Sequence, residues 1–252
     1  MPISSKWAVF AGLTPQGQRF DSHLQVIHRS GSRLPRLPGS EFFLDLDMTI
    51  PTEPIGSIPR PQKLIEAFAR YDRGSISQEE FASICNEAVR DTIEKFEATG
   101  SPVITDGEQT KPSFATYPIH NLSNLSPDGV KIQFADGHVR QLPKLSSGPF
   151  RYKIYASTYL RAAKEIARMP VKQAVISPSA LSLLYPSEGI AGYPKEKFIS
   201  DLVNEAASDI RGCLEQGAHC AQIDFTEGRL AVKLDPTGQL LSSFIALINR
   251  VL

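Results

Sequence analysis

The sequence reads Gln173-Ala-Val-Ile-Ser-Pro178 and, further on, Cys220-Ala-Gln-Ile-Asp224. Each stretch contains an apolar run of strand length, and residues 195–216 between them carry apolar side chains at helical spacing and close at Gly217. A strand, a helix and a second strand in series predict two parallel strands joined by a right-handed crossover. Polar residues follow both runs, so a candidate site is expected at the carboxyl ends of the strands.

The residues after Met48 continue this alternation of helices and strands. Helices are predicted over 62–71, 77–100, 155–168 and 238–252, and a short strand over 102–105. The second of these helices has a start signal, because Ser77 and Glu80 have the spacing of a capping box. Gly100 supplies its stop signal.

One segment predicts a β-hairpin inserted between these units. Residues 130–134 and 138–142 alternate in period two, and Asp136-Gly137 lies between them. An Asp-Gly pair tolerates the positive φ angles of a tight turn. The predicted fold class is α/β, and periodicity alone does not separate a closed barrel from an open doubly wound sheet.

The composition is that of an ordinary globular protein, with 252 residues, 41% hydrophobic and 21% charged. Lys and Arg together number 27, as do Asp and Glu, and this zero net charge disfavours a nucleic acid as the main partner. No apolar run approaches the roughly 18 residues that a transmembrane helix needs, so no membrane partner is expected. Three cysteines are too few for a disulfide framework, which favours a reducing, cytoplasmic location.

Residues 1–47 differ from the rest and are predicted to be a disordered or mis-annotated extension. The stretch 29–40 is rich in Arg, Ser, Pro and Gly, and its apolar residues show neither helical nor alternating spacing. Its basic, acid-poor composition gives a weaker alternative, an organelle-targeting segment. Residues 48–252 are predicted to be the folded domain.

Three segments together resemble the catalytic domain of the cobalamin-independent methionine synthase family. The first is Pro51-Thr-Glu-Pro-Ile-Gly-Ser-Ile-Pro-Arg-Pro61, similar to the family's opening strand and the turn that follows it. The second is Thr105-Asp-Gly-Glu108, and the third is Ala221-Gln-Ile-Asp224. Val175-Ile-Ser-Pro178 falls where the family has a turn after its fourth strand.

This resemblance implies a (β/α)8 TIM barrel of the kind shared with uroporphyrinogen decarboxylase. About the first five β/α units are expected in this chain, which would then be a truncated barrel or a fragment. The implied reaction transfers a methyl group from 5-methyltetrahydropteroyltriglutamate to homocysteine, whose thiol is activated by zinc, in methionine biosynthesis. Open sheet edges in a partial barrel also predict possible self-association.

The resemblance also implies an amino-acid site for homocysteine or methionine. Backbone N–H groups of Ile55, Gly56 and Ser57 would hold the carboxylate, since a turn containing Gly lets an anion approach closely. Glu108 and Asp224 would pair with the α-ammonium group through charge-assisted hydrogen bonds. The catalytic residues are unknown.

Two departures from the family pattern concern its cofactor and its methyl donor. The family's zinc ligands lie on later strands, and no metal ligands are expected in this chain, whose cysteines Cys85, Cys213 and Cys220 lack zinc-type spacing. The positions that contact folate in the family fall near Leu184 or Tyr185 and at Leu230. Methyl-folate is therefore disfavoured as the donor.

Two other functions stay open, a related barrel enzyme with a non-folate methyl donor and a non-catalytic half-barrel that binds an amino acid or a partner. Local features also have simple structural interpretations. Lys111 is expected to be solvated at the surface, and Glu227 to form an ion pair with Arg229. Phe150 and Tyr152 are expected to pack in the core.

Overall fold

The structure is a computed structural model and describes residues 52–133 and 139–252. Its helices are α1 (Gln62–Asp72), α2 (Gln78–Ala98), α3 (Ser157–Lys164), α4 (Pro178–Ser182), α5 (Lys195–Glu215), α6 (Gly228–Leu234) and α7 (Gln239–Asn249). Its strands are β1 (Leu125–Ser126), β2 (Lys131–Gln133), β3 (Val139–Gln141), β4 (Lys144–Leu145), β5 (Gln173–Ile176) and β6 (Ala221–Asp224). The predicted extension at 1–47 and the segment 134–138 lie outside the described residues.

The parallel pair β5–β6 forms the centre of the fold and confirms the predicted strand–helix–strand unit. Gln173 pairs with Ala221 and Ile176 with Asp224, so both strands end at the same edge. Ile104 makes a parallel bridge to Val171 on the other side of β5. The carboxyl ends of three neighbouring chain segments therefore meet at one edge.

Two antiparallel pairs lie outside this parallel unit. Strands β2 and β3 pair in the register Lys131 to Gln141, which confirms the predicted hairpin, although its Asp136-Gly137 turn lies outside the described residues. Strands β1 and β4 form a second pair of only two residues each, which the sequence analysis missed because so short a strand has no measurable period.

Several predicted boundaries change. Ser77 is confirmed as the N-cap, since its Oγ accepts a hydrogen bond from the Glu80 N–H at 3.1 Å. The Glu80 carboxylate pairs with Arg70 instead of completing the capping box. The helix predicted over 155–168 is restricted to α3, and the strand predicted over 102–105 is reduced to the bridge at Ile104. Residues 52–60, which resemble an opening strand, form no regular strand. Helix α6 was not predicted.

Aromatic side chains fill the core between α5 and the chain before α3. Phe198 is fully buried, and its ring centroid lies 5.2 Å from those of both Phe150 and Tyr185. Tyr152 packs edge-on against Phe150 at 5.9 Å. The predicted packing role of Phe150 and Tyr152 is confirmed. This core fixes α5 against the sheet, and with it the edge where the strands end.

No helix within 52–133 and 139–252 is long and apolar enough to cross a membrane. The α/β class is confirmed by the alternation of helices with the parallel pair. The number of barrel units, expected to be about five, is not established by this architecture and stays a prediction.

Phe198→Ala should lower the free energy of unfolding by about 3 to 5 kcal/mol, because it removes a fully buried ring and leaves a cavity. Urea unfolding followed by circular dichroism measures this change. Lys195→Ala, at an exposed position of the same helix, is the control and should change stability by less than about 0.5 kcal/mol. Equal losses in the two variants would contradict this account of the core.

Candidate active site

The segment around Gly56 lies against the loop that follows Ile104. Thr105 donates its hydroxyl hydrogen to the Gly56 carbonyl oxygen at 3.2 Å and accepts a hydrogen bond from the Gly107 N–H at 3.1 Å. The Ile58 N–H donates to the Gly107 carbonyl at 3.1 Å. Two stretches that resemble the family motifs are therefore in direct contact, although about 50 residues separate them in the sequence.

Arg60 holds this loop through hydrogen bonds to its backbone carbonyl oxygens. Its Nε donates to the Gln109 carbonyl at 2.9 Å, and its Nη2 donates to the carbonyls of Glu108, at 3.3 Å, and of Lys111. The guanidinium carbon also lies 4.9 Å from the ring centroid of Phe68 in α1. One side chain thus satisfies three loop carbonyls that no regular ladder pairs.

The loop turns sharply at Gly107 and Glu108, which both have positive φ angles, 66° and 54°. This conformation is ordinary for glycine but uncommon for glutamate. The Glu108 N–H donates to Asp106 Oδ1 at 2.9 Å, which supports the turn. This backbone conformation costs free energy, and with it the Glu108 carboxylate is directed at Gly56.

Gly56 allows a close approach of the Glu108 carboxylate, whereas the expected approach of a ligand carboxylate stays a prediction. A Cβ atom at this position would lie 2.9 Å from Glu108 Oε1 and 3.6 Å from the Ala174 Cβ. The N–H groups of Gly56 and Ser57 donate to no other described residue. The Ile55 side chain is 78% exposed and Ser57 is exposed, so neither side chain packs into the protein here.

Asp224 reaches the same place through Gln222. The Gln222 Nε2 donates both to the Ile55 carbonyl at 2.8 Å and to Asp224 Oδ1 at 2.9 Å. Burial raises the pKa of Asp224 to about 6; the negative charge of Glu108 adds to this rise, and the Gln222 hydrogen bond opposes it. The carboxylates of Glu108 and Asp224 therefore interact electrostatically at the edge where the strands end.

Lys111 is the main residue that the sequence analysis misplaced. It is 1% exposed, so the expectation of a solvated surface lysine is wrong. Its Nζ donates to Glu108 Oε2 at 2.9 Å and to the Ala174 carbonyl at 2.8 Å, and lies 4.6 Å from the ring centroid of Tyr117. Burying an ammonium group requires such compensation from a carboxylate, a carbonyl and an aromatic face.

Asp106 is a second buried acid, to which the sequence analysis assigned no role. Its Oδ2 is buried with no hydrogen-bond partner among the described residues. Burial raises the pKa of this carboxyl, and the positive charge of Lys111 opposes that rise. The strand edge thus carries three carboxyl groups, those of Asp106, Glu108 and Asp224, and the ammonium of Lys111.

Glu227 forms a separate buried cluster beyond the end of β6. Ser177 and Ser179 both donate their hydroxyl hydrogens to Glu227 Oε1. The expected ion pair with Arg229 is wrong, because Glu227 is buried while Arg229 is exposed. The cluster links α4 to the loop before α6 and was missed because its partners lie about 50 residues apart.

The described residues do not fit the zinc ion of the family. They contain no group of three or more His, Cys, Asp or Glu side chains that could hold a metal ion. Cys85 and Cys213 are buried in α2 and α5, and burial raises the pKa of the Cys85 thiol to about 11. Neither residue provides the thiolate that zinc prefers.

Comparisons with known proteins find methionine synthases at low identity. No family model matches the chain. A methionine synthase from Sulfurisphaera tokodaii is 24% identical over 175 residues, which cover 69% of this chain and 51% of that protein. A 5-methyltetrahydropteroyltriglutamate–homocysteine methyltransferase from Thermotoga sp. (strain RQ2) is 25% identical over 179 residues, 69% of this chain and 24% of that protein.

Two solved structures share the fold. A putative vitamin-B12 independent methionine synthase from Listeria monocytogenes has a TM-score of 0.58 at 23% identity and covers 78% of this chain and 58% of its own. A B12-independent methionine synthase from Shewanella sp. W3-18-1, in complex with selenomethionine, has a TM-score of 0.61 at 18% identity, covering 80% and 57%.

The chain resembles the cobalamin-independent methionine synthases in sequence and in fold. The expected family resemblance is therefore confirmed, at low identity. The chain spans about half the length of the curated methionine synthases it matches first. The roles of the predicted site residues Ile55, Gly56, Ser57, Glu108 and Asp224 stay predictions.

Gly56→Ala should lower the free energy of unfolding by about 1 to 3 kcal/mol, because its Cβ would be forced against Glu108 Oε1 in a packed site. Thermal and urea unfolding measure this loss. Gly212→Ala is the matched control, since a Cβ in the middle of α5 would meet only Ser157 at 3.4 Å and alanine favours the helix. A harmless Gly56→Ala would mean that the close approach to Glu108 does not exist.

Proposed function

We propose that this chain provides the amino-acid site of an S-methyltransferase of the 5-methyltetrahydropteroyltriglutamate–homocysteine type. The observation that carries the proposal is the juxtaposition of Gly56 with Glu108, beside Asp224, at the end of a parallel sheet. The names of the relatives and the selenomethionine complex of the Shewanella protein support a thioether or thiol amino acid as ligand.

Each end of an amino acid would find a matching group in this site. The α-ammonium group would bind Glu108 Oε1 and Asp224, which are close enough to interact electrostatically. The carboxylate would accept hydrogen bonds from the N–H groups of Gly56 and Ser57, where no Cβ blocks the approach.

The chemical step needs groups beyond those described. Zinc would make the homocysteine thiol nucleophilic near neutral pH in the family reaction, but the described residues do not supply its ligands. We therefore assign these residues only to binding and orienting the acceptor. The barrel of about five units, the cytoplasmic location and association through open sheet edges belong to the same proposal.

A non-folate methyl donor is the second candidate, and one observation favours it. Where the family contacts folate, Leu184 is fully buried, and the Tyr185 hydroxyl donates to the Tyr193 carbonyl at 2.8 Å. Tyr185 also packs on Phe198 in the core. The buried Leu184 side chain offers no aromatic face on which a pteridine ring could stack, and Tyr185 is held in the core by these two contacts.

Asp224→Asn should weaken methionine binding by about 10- to 100-fold, the usual effect of losing a hydrogen bond to a charged group. Isothermal titration calorimetry with methionine and homocysteine measures this change. Asp72→Asn, at an exposed acid of α1, is the control and should bind like the parent protein. If the parent protein binds neither amino acid, the proposed site is wrong.

Methionine affinity should also depend on pH. The raised pKa of Asp224, about 6, means that its carboxylate is half ionised near pH 6 and almost fully ionised from pH 7 to 8. Affinity should be steady from pH 7 to 8 and fall by about tenfold per unit below pH 6, as protonation removes the partner of the ammonium group. Asp224→Asn should flatten this profile, and an unchanged slope in that variant would assign the titration to another group.

A further inference from the structure

We infer that Lys111 is a positioning residue that sets the preference of this site for ligands with an ammonium group, and that it acts through Glu108. The inference rests on the proposed amino-acid site. It adds Lys111, which is not one of the residues predicted to contact the ligand. Lys111 itself is assigned no ligand contact, because its buried ammonium group is directed at Glu108 Oε2, the Ala174 carbonyl and the Tyr117 ring.

Lys111 is fixed on three sides. Its ammonium group donates to Glu108 Oε2 and to the carbonyl of Ala174 in β5, and lies over the ring of Tyr117. The Lys111 carbonyl is itself held by Arg60. Because both its ammonium group and its backbone carbonyl are held, Lys111 has little freedom to move. It can therefore hold the Glu108 carboxylate in one position.

The hydrogen bond from Lys111 makes the two carboxylate oxygens of Glu108 unequal. Glu108 Oε2 is occupied by Lys111, whereas Glu108 Oε1 accepts no hydrogen bond from a described residue and faces Gly56. Oε1 is thus the oxygen left to accept from a ligand. Because the Lys111 contact fixes the carboxylate plane, it also fixes the direction in which Oε1 points.

Charge gives a second reason for the same role. Glu108 shares its surroundings with the acids Asp106 and Asp224. Arg60 and Lys172 also lie near these acids, but the Lys111 ammonium is the cation that bonds to the Glu108 side chain. Without it, repulsion among the carboxyl groups would favour reorientation of Glu108. Lys111 therefore keeps the Glu108 carboxylate aimed before any ligand arrives.

The test measures a ratio of two dissociation constants rather than a single affinity. Methionine and 4-(methylthio)butanoate differ only in the α-ammonium group, so the ratio of their Kd values isolates recognition of that group. In the parent protein methionine should bind about 10- to 100-fold more tightly than the analogue. If the parent protein binds neither ligand, or binds both equally, the proposed amino-acid site fails and this inference fails with it.

Given a parent protein that discriminates, Lys111→Met should reduce the ratio by about tenfold or more while leaving the Kd of the analogue within about threefold. A role confined to folding would instead weaken both ligands together. An equal loss for the two ligands, with the parent ratio retained, would therefore overturn the inference while leaving the proposed function intact.

A second comparison covers the case in which Lys111→Met does not fold, since it leaves a buried carboxylate unpaired. Glu108→Gln removes that charge and should lower the ratio by itself. Adding Lys111→Met to Glu108→Gln should then change the ratio by less than about twofold, because Lys111 acts only through the Glu108 carboxylate. A further large fall in the double variant would show an independent role for Lys111 and overturn the inference.

Discussion

The buried ion pair between Lys111 and Glu108 is the contact on which this strand edge depends. Removing two charges from water is costly, and the cost is offset only when every remaining donor and acceptor has a partner. Here the lysine also bonds to the Ala174 carbonyl and lies over Tyr117, which ties the loop after Ile104 to β5 and to the aromatic core. A single pair thereby joins the candidate site to the packing beneath it.

The site is consequently built from backbone turns and buried charge rather than from a deep cluster of polar side chains. Glu108 has a positive φ, and Gly56 has no side chain to keep the Glu108 carboxylate away. Asp224 comes from the neighbouring strand and is linked to the Gly56 segment through Gln222. The Glu108 loop and Asp224 converge because Ile104 and β6 run parallel on either side of β5. The Gly56 segment forms no strand and is joined to them by the hydrogen bonds of Thr105 and Gln222.

The sequence was sufficient for the parts whose signals are local. The β5–α5–β6 unit, the Ser77 cap and the β2–β3 pairing follow from periodicity and capping within a few residues. The positions of Gly56, Glu108 and Asp224 followed from the family resemblance. Lys111 escaped prediction because its burial depends on Ala174, 63 residues away, and no local pattern distinguishes a buried lysine from a solvated one.

Arg60 adds a property that concerns the thermodynamics of recognition. By bonding three carbonyls of the 108–111 loop, it holds that loop in one arrangement before any ligand is present. A preorganised loop loses little conformational entropy on association. The affinity of a ligand at this edge would then be governed by how readily the ligand and the carboxylates give up water, and ligands that fit the loop as it stands would be favoured over ones that require the protein to change shape.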